Sequence, residues 1–348
     1  MDGTKRLASG RLRVGACLSL SGRFARFGRQ AARALEAWAS LDGTADVLIE
    51  DDASDPGQLR SVLPGLATRS DLLLGPYSTL LMRAAGDLAA ESGWLLWNHG
   101  GSGDNVETAH PGHVVSVLTP ASRYAEPFLR HLAGATSTLP ELRIVHGTGR
   151  FGQQVAGGAE TCARQFGITP LRAGPADMVL SADVPVEWVL FTAGTFEDDI
   201  ETVARARHLA RPPRLICAVA AGVREFSQAV TNPAGIFGIA QWFPRTGRPP
   251  LLGPTENRFL AAYGAPAEPA DYPAVQAAAT AAIATHCARL AGCTHREDLW
   301  SVTTALETRT LYGAFKIDPA TGAQIGHRTV LTRWADRTLE AVHDSFAT

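Results

Sequence analysis

The sequence lacks a surplus of charge of either sign. Its 348 residues carry 32 Lys and Arg against 34 Asp and Glu, a formal net charge of −2. A general polyanion binder needs a basic surplus to neutralise phosphates, so no nucleic-acid partner is expected. Long apolar runs are also missing. No segment approaches the ~20 apolar residues of a membrane span, so the chain is not expected to cross one. Near the N-terminus the longest apolar run, Val14–Leu20, is too short for the core of a secretory signal. That leaves two localisations: cytoplasmic, or periplasmic/extracellular after removal of a leader. The five cysteines (Cys17, Cys162, Cys217, Cys287 and Cys293) are scattered. No Cys-x-x-Cys pair occurs, so no zinc or redox motif, no metal and no cofactor are expected. The odd count leans towards a reducing compartment. Finally, no Gly-x-Ser-x-Gly pentapeptide occurs, and without it there is no nucleophile elbow.

What is present is an ordinary globular composition, with 45% hydrophobic and 19% charged residues, on a chain long enough for two domains. Short apolar runs alternate with helical patterns. Strands are predicted at Leu12–Leu20, Val47–Glu50, Leu72–Leu74, Trp94–Trp97 and Val114–Leu118. Helices are predicted at about Gly28–Leu41, after Asp55-Pro56, and from Ser78-Thr79 to Gly93. Ser78 or Thr79 suits an N-cap and Gly93 the position after a helix end. The rhythm restarts after Pro120, with strands at Leu142–His146, Trp188–Phe191 and Leu215–Val219 and helices at Gln153–Phe166 and Glu197–Ala210. Helices are also predicted at Asn257–Tyr263 and Tyr272–Ala291, and two strands around the Asp318-Pro319 turn near the C-terminus. Alternating strands and helices imply parallel sheets with right-handed crossovers. The predicted class is α/β, with two doubly wound parallel-sheet lobes. Ligands of such folds bind beyond the carboxyl ends of the strands.

The stretch LLWNHGGSGD (Leu95–Asp104) lies at such an end. Its His99-Gly100-Gly101 resembles an esterase oxyanion loop, but no nucleophile accompanies it. GTGRFG (Gly147–Gly152) matches G-x-G-x-x-G between a strand and a helix. The ribose-binding acid should follow about 20 residues on; Arg172 and Ala173 stand there instead. A tight strand-to-helix turn is the better reading. Glu50-Asp51-Asp52 with Asp55 lacks calcium-loop spacing and reads as a solvated, helix-capping acidic loop. No enzyme constellation is complete, so the chain is read as a non-enzyme, with a nicotinamide oxidoreductase or a hydrolase as distant alternatives.

Five blocks, in order, carry a resemblance. They are LSLSGRFARFG (Leu18–Gly28), EDDASDP (Glu50–Pro56), GPYST (Gly75–Thr79) followed by LLWNHGGSG, DYPAVQAAATA (Asp271–Ala281), and GAFKIDPATGAQIGH (Gly313–His327). Together they resemble the type I periplasmic binding proteins, most closely the branched-chain amino acid and amide receptors of ABC transport systems. The resemblance implies two lobes joined by three crossovers, near Thr119–Ala121, Trp242–Arg248 and Gly322–His327, and closing as a hinge on a small ligand. The expected domains are residues 1–120 plus 246–326, and 121–245 plus 327–348.

The resemblance also implies site residues. Thr79 and Ser102, with Ser78 beside the first, match the hydroxyls that hold a ligand carboxylate. Gly101 matches the carbonyl that accepts from a ligand amine. Phe27 matches the aromatic after the first strand, and Phe151 and Phe196 (or Thr195) fall where tyrosines are common. Tyr272 matches the hinge-side helix tyrosine, while Tyr77 and Trp97 add aromatic surface near the turn. The carboxylate that holds an α-ammonium is missing from Cys217–Ala221, and Glu225 lies several residues on. Arg23, Arg26 and Arg150 read as solvated rim charges, or one of them pairs with an anionic ligand. The expected ligand is an amino-acid-like molecule, an amide, or a small aromatic or aliphatic acid. Permease subunits are the partner if the chain is a transport receptor, and an amide-sensing cytosolic regulator is the alternative.

Overall fold

The computed structural model describes residues 10–135, 140–169, 171–181, 185–264 and 269–342. The chain divides into two compact units. One runs up to Thr119 and includes Pro244–Arg328; the other comprises Pro120–Phe243 and the chain from Thr329 onwards.

The first unit begins with strands β1 (Leu12–Leu18), β2 (Ala45–Asp51), β3 (Leu72–Leu74), β4 (Leu96–Asn98) and β5 (Val114–Ser116). They form one sheet in the order β2-β1-β3-β4-β5, and every pairing is parallel. Helices Ala25–Asp42, Pro56–Arg69 and Thr79–Ser92 make the first three crossovers. β3 and β4 are buried along their whole length, as parallel strands covered by helices must be. The 20-residue helix Tyr272–Ala291 packs on helix Ala25–Asp42 and is buried almost throughout. Its alanines permit that close approach, and near its C-terminal end Arg289 pairs with Asp42 of the facing helix at 2.9 Å.

The second unit contains β6 (Glu141–His146), β7 (Leu171–Gly174), β8 (Trp188–Ala193), β9 (Leu215–Ala218) and β10 (Phe237–Ala240). The chain then returns to the first unit, where β11 (Thr308–Thr310) and β12 (Gly313–Phe315) form an antiparallel pair. It ends in the second unit with β13 (Val330–Ala335) and β14 (Thr338–Ala341). That sheet has the order β14-β13-β10-β9-β8-β6-β7. Its interior strand β8 is buried at every position.

Three expectations are corrected here. The C-terminal stretch is not one hairpin around Asp318-Pro319. That turn carries a single bridge, Ile317 to Gln324, while β12 pairs with β11 and β13 joins the other unit's sheet antiparallel to β10. The alternation rule overreached there, because β13 and β14 cover a sheet edge without a helix between them. Second, Arg296–Ala305 is a helix that periodicity did not single out. Third, Asp52 is not solvated. It is fully buried, Ser19 Oγ donates to it at 2.6 Å, and burial pushes its carboxyl up. Asp51 anchors the loop after β1 by accepting from the Leu20, Ser21 and Ala53 N–H groups, and Asp55 caps helix Pro56–Arg69 through Gln58 N–H.

Candidate functional site

At the carboxyl end of β3 and β4 two turns meet. Ser78 N–H donates to the Gly100 carbonyl at 3.0 Å. The approach is so close that a Cβ on Gly100 would lie 2.6 Å from Tyr77 Cα, and one on Gly101 2.6 Å from Met82 Cβ. Only glycine fits at either position.

Asn98, the last residue of β4, fixes the second turn. Its Oδ1 accepts from Gly100 N–H (3.1 Å) and Gly101 N–H (2.8 Å). Its Nδ2 donates to the Gly101 carbonyl (2.7 Å) and to Ser116 Oγ (2.6 Å). Both donors and both lone pairs of the amide are thereby used. Ser116 Oγ in turn donates to Glu107 Oε2 at 2.9 Å. All three side chains are buried. Desolvation pushes the Glu107 carboxyl up to about 7, outweighing the Ser116 hydrogen bond.

The first turn starts helix Thr79–Ser92. Ser78 is its N-cap, accepting from Leu81 N–H at 3.3 Å, and has φ 87° and ψ 147°. That backbone region is costly for any residue but glycine, by about 1–3 kcal/mol, and such strain gathers at binding sites. Thr79 Oγ1 accepts from Gly103 N–H at 3.0 Å, which leaves its own proton to donate elsewhere. Ser102, half-buried, makes no hydrogen bond with its side chain among the described residues. The first N–H groups of a helix have no acceptor within it, and the helix dipole there favours an anion. Two hydroxyls, free N–H groups and a helix N-terminus form a donor set of the kind that can hold a small anion.

Aromatic rings border this donor set. Phe27 stacks on Tyr77 with centroids 4.2 Å apart and an interplanar angle of 14°, and Phe24 lies 5.9 Å from the same ring. The hydroxyls of Tyr77 and Tyr272 share a short hydrogen bond. The Arg26 guanidinium covers Phe27 at 4.4 Å and that of Arg23 covers Phe24 at 4.5 Å, both arginines being exposed.

The first unit therefore groups Tyr77, Ser78, Thr79, Gly101, Ser102, Phe27 and Tyr272. Trp97 stands apart. It is wholly buried in β4 and its indole Nε1 has no partner, so it packs the interior and presents no surface at the turn. The Gly101 carbonyl, expected to receive a ligand amine, already accepts from Asn98. His99 is fully buried, and neither ring nitrogen has a partner of ordinary geometry. Burial lowers its pKa to about 4 and keeps it neutral, and its enclosure removes it as a surface base.

In the second unit, Phe151 and Phe196 are half-buried residues at the starts of helices Arg150–Gln165 and Phe196–Arg207. Phe151 meets Tyr124 edge-on at 5.5 Å. Thr195 caps the second helix through Asp198 N–H, and Arg150 is exposed. GTGRFG is a tight turn: a Cβ on Gly152 would meet the Ala193 carbonyl at 2.5 Å. Asp199, wholly buried, accepts from Thr192 Oγ1 and Ala220 N–H, and desolvation pushes it up to about 7. The Glu225 Oε2 atom is buried without a partner.

Sequence reasoning missed Asn98, Ser116, Glu107 and Phe24. A polar Asn closing the apolar run LLWN was the available signal for the first. Nothing in the local pattern marks Glu107 as buried.

Solved structures share this fold. The leucine-binding protein LivK of Thermotoga maritima has a TM-score of 0.78 at 12% identity, over 95% of this chain and 98% of its own. The LivJ protein of Streptococcus pneumoniae, in complex with isoleucine, has 0.74 at 15%, over 95% and 99%. An ABC-transporter solute-binding protein of R. palustris, in complex with 4-hydroxybenzoate, has 0.78 at 15%, over 95% and 96%. A search of curated proteins gives no match. The family model described as periplasmic binding protein matches residues 11–338, nearly the whole chain, and the chain belongs to that family.

Proposed function

We propose that this protein is a solute receptor of an ABC transporter and that its ligand is a small carboxylate with an apolar or aromatic body. One observation carries the reading. The Thr79 hydroxyl stands at the start of helix Thr79–Ser92, next to the Phe27–Tyr77 stack, and Ser102 adjoins Gly103, whose N–H bonds Thr79; both hydroxyls keep their protons free to donate. The donors suit a carboxylate and the rings suit a flat or apolar body. No carboxylate occupies Cys217–Ala221, where an α-ammonium would need one, and the Gly101 carbonyl has one lone pair already engaged. Charge-assisted bonds are worth about 1.5–3 kcal/mol, so their loss disfavours a zwitterion. Solved relatives in complex with benzoate and with 4-hydroxybenzoate support an aromatic acid.

A second reading rests on Glu225. Its buried, unpartnered oxygen is a candidate partner for an ammonium, which favours leucine-like amino acids. A thermal-shift screen separates the two. A ligand at about 100 times its Kd stabilises the fold by ~2.7 kcal/mol. Benzoate and 4-hydroxybenzoate are expected to raise the melting temperature, and leucine and isoleucine to leave it unchanged. A shift with leucine alone transfers the assignment to the Glu225 reading. Silence across benzoates, amino acids and amides overturns the small-carboxylate assignment.

A further inference from the structure

Among the described residues, one set of three metal-ligating side chains converges: Cys293, His295 and Asp298. Cys293 and His295 lie on the tight connection between helices Tyr272–Ala291 and Arg296–Ala305, and Asp298 is in the first turn of the latter. Gly292, left-handed at φ 68°, ends the first helix, and His295 is the N-cap residue of the second without a capping side-chain bond. Cys293 is buried, while His295 and Asp298 reach solvent. Arg296 pins the connection by donating to the Gly112 carbonyl at 3.1 Å.

We propose that these three residues form a zinc-binding site. Zinc bonds of ~2.0–2.3 Å at tetrahedral angles place neighbouring ligand atoms about 3.3–3.6 Å apart. Here Cys293 Sγ lies 3.1 Å from Asp298 Oδ2, His295 Nδ1 lies 3.7 Å from the same oxygen, and all three atoms fall within 4.8 Å of one another. Two of the three spacings lie within about 0.5 Å of one face of such a tetrahedron, and the third is bounded at 4.8 Å. A thiolate, an imidazole and a carboxylate form a borderline donor set that selects zinc over magnesium or calcium. Thiolate and carboxylate together balance the dipositive ion. Binding exchanges the Cys293 thiol proton, which otherwise points to Asp298, for the metal: Cys–SH plus the zinc ion gives Cys–S–zinc and a released proton. Histidine binds through its neutral nitrogen.

Three protein ligands leave a fourth position for water. His295 borders a cavity of about 310 Å³, also lined by Ser70, Asp71, Trp94, Thr294 and Arg296, which offers room for that water and a path of entry. The cavity lies by the amino ends of β3 and β4, whereas Thr79 and Ser102 follow their carboxyl ends. The metal site is thus independent of the proposed carboxylate site. The sequence shows no zinc motif because the set has the spacing Cys-x-His-x-x-Asp, which only the turn between two helices closes up.

Cobalt(II) titration of the chelator-treated full chain is the test, since cobalt reports a thiolate ligand by its charge-transfer absorption. One equivalent with that band is expected, displaced by zinc. His295→Gln and Asp298→Asn, both at partly exposed positions, should retain the metal-free melting temperature of the unaltered protein. Each should weaken zinc binding by more than the ~10–100-fold that losing an outer-shell partner costs. Cys293→Ser should abolish the thiolate band. A spectrum without thiolate character, or binding unchanged in His295→Gln and Asp298→Asn, overturns the site. Benzoate stabilisation should be the same with and without zinc, so failure of the carboxylate reading and failure of this one are seen separately.

Discussion

Ser116 donates its hydroxyl proton to Glu107 at 2.9 Å, both side chains being shut away from water. Asn98 connects this pair to the Gly100–Gly101 turn, so a buried carboxyl stands three hydrogen-bonded residues from the proposed ligand. Burial raises Glu107 to about 7 from an ordinary 4.5, and Asp199 to about 7 from 3.8. Between the unfolded and folded values the native state holds the proton and the unfolded state has lost it. Stability therefore falls as pH rises through that window, and levels off above the folded value.

For Glu107 the expected loss is about 3 kcal/mol from the acid to the alkaline end of the window, at roughly 1.4 kcal/mol per pKa unit. Glu107→Gln keeps an acceptor for Ser116 and cannot ionise. Urea unfolding followed from about pH 5 to about pH 8 should show a shallower decline in this variant and greater stability than the unaltered protein at the alkaline end. An identical slope in both would mean that the carboxyl titrates normally.

Ser78 carries backbone strain that glycine would not. Ser78→Gly should relieve about 1–3 kcal/mol, less the ~0.5–1 kcal/mol that glycine adds in chain entropy. The N-cap loss is only a few tenths. A net rise in melting temperature is expected, and differential scanning calorimetry reads it. Gly100→Ala is the opposite case: its Cβ would lie 2.6 Å from Tyr77 Cα, backbone against which nothing can swing away. It should lower the melting temperature and separate the two turns.

The doubly wound architecture was legible because it rests on short apolar runs alternating with helical periodicity, and β1 to β5 follow it closely. The final strands were not. Nothing local in Val330–Ala335 says which of two sheets it will join, since pairing is a long-range choice. The same divide holds at the site. Gly100, Gly101 and Ser102 stood out as a glycine-rich turn after an apolar run. Trp97, one residue before Asn98, looked equally available, yet β4 is covered on both faces and its ring is fully buried. Glu107 looked like one more acid in a polar stretch, because burial of a charge depends on neighbours that are distant in sequence, here Ser116 and Asn98.

The two hydroxyls should part company when removed singly. Ser102 makes no hydrogen bond within the described chain, so Ser102→Ala should leave the melting temperature unchanged. Thr79 receives Gly103 N–H, so Thr79→Ala should cost about 1 kcal/mol. Each should weaken binding of whichever benzoate scores in the screen by about 10–100-fold, the worth of a hydrogen bond to a charged group. Calorimetric titration measures it. Full affinity in the Ser102→Ala/Thr79→Ala double variant would place the carboxylate elsewhere.

Asn98 is the residue on which the turn depends, and its removal should separate positioning from contact. Asn98→Ala leaves Gly100 N–H, Gly101 N–H and the Gly101 carbonyl without their partner and takes a hydrogen bond from Ser116. Each unsatisfied buried group costs about 1–3 kcal/mol before relaxation, so a loss of several kcal/mol is expected. Asn98→Asp keeps the acceptor for the two glycine amides but loses both donated bonds and sets a second carboxylate near Glu107. It should therefore retain slow amide exchange at Gly100 and Gly101 at low pH and lose it as the pH rises. Hydrogen exchange resolved at those two amides decides the matter. Fast exchange in Asn98→Ala, with pH-dependent protection in Asn98→Asp, shows that the asparagine holds the turn. Equal protection in both variants would mean that the Ser78–Gly100 bond alone holds it.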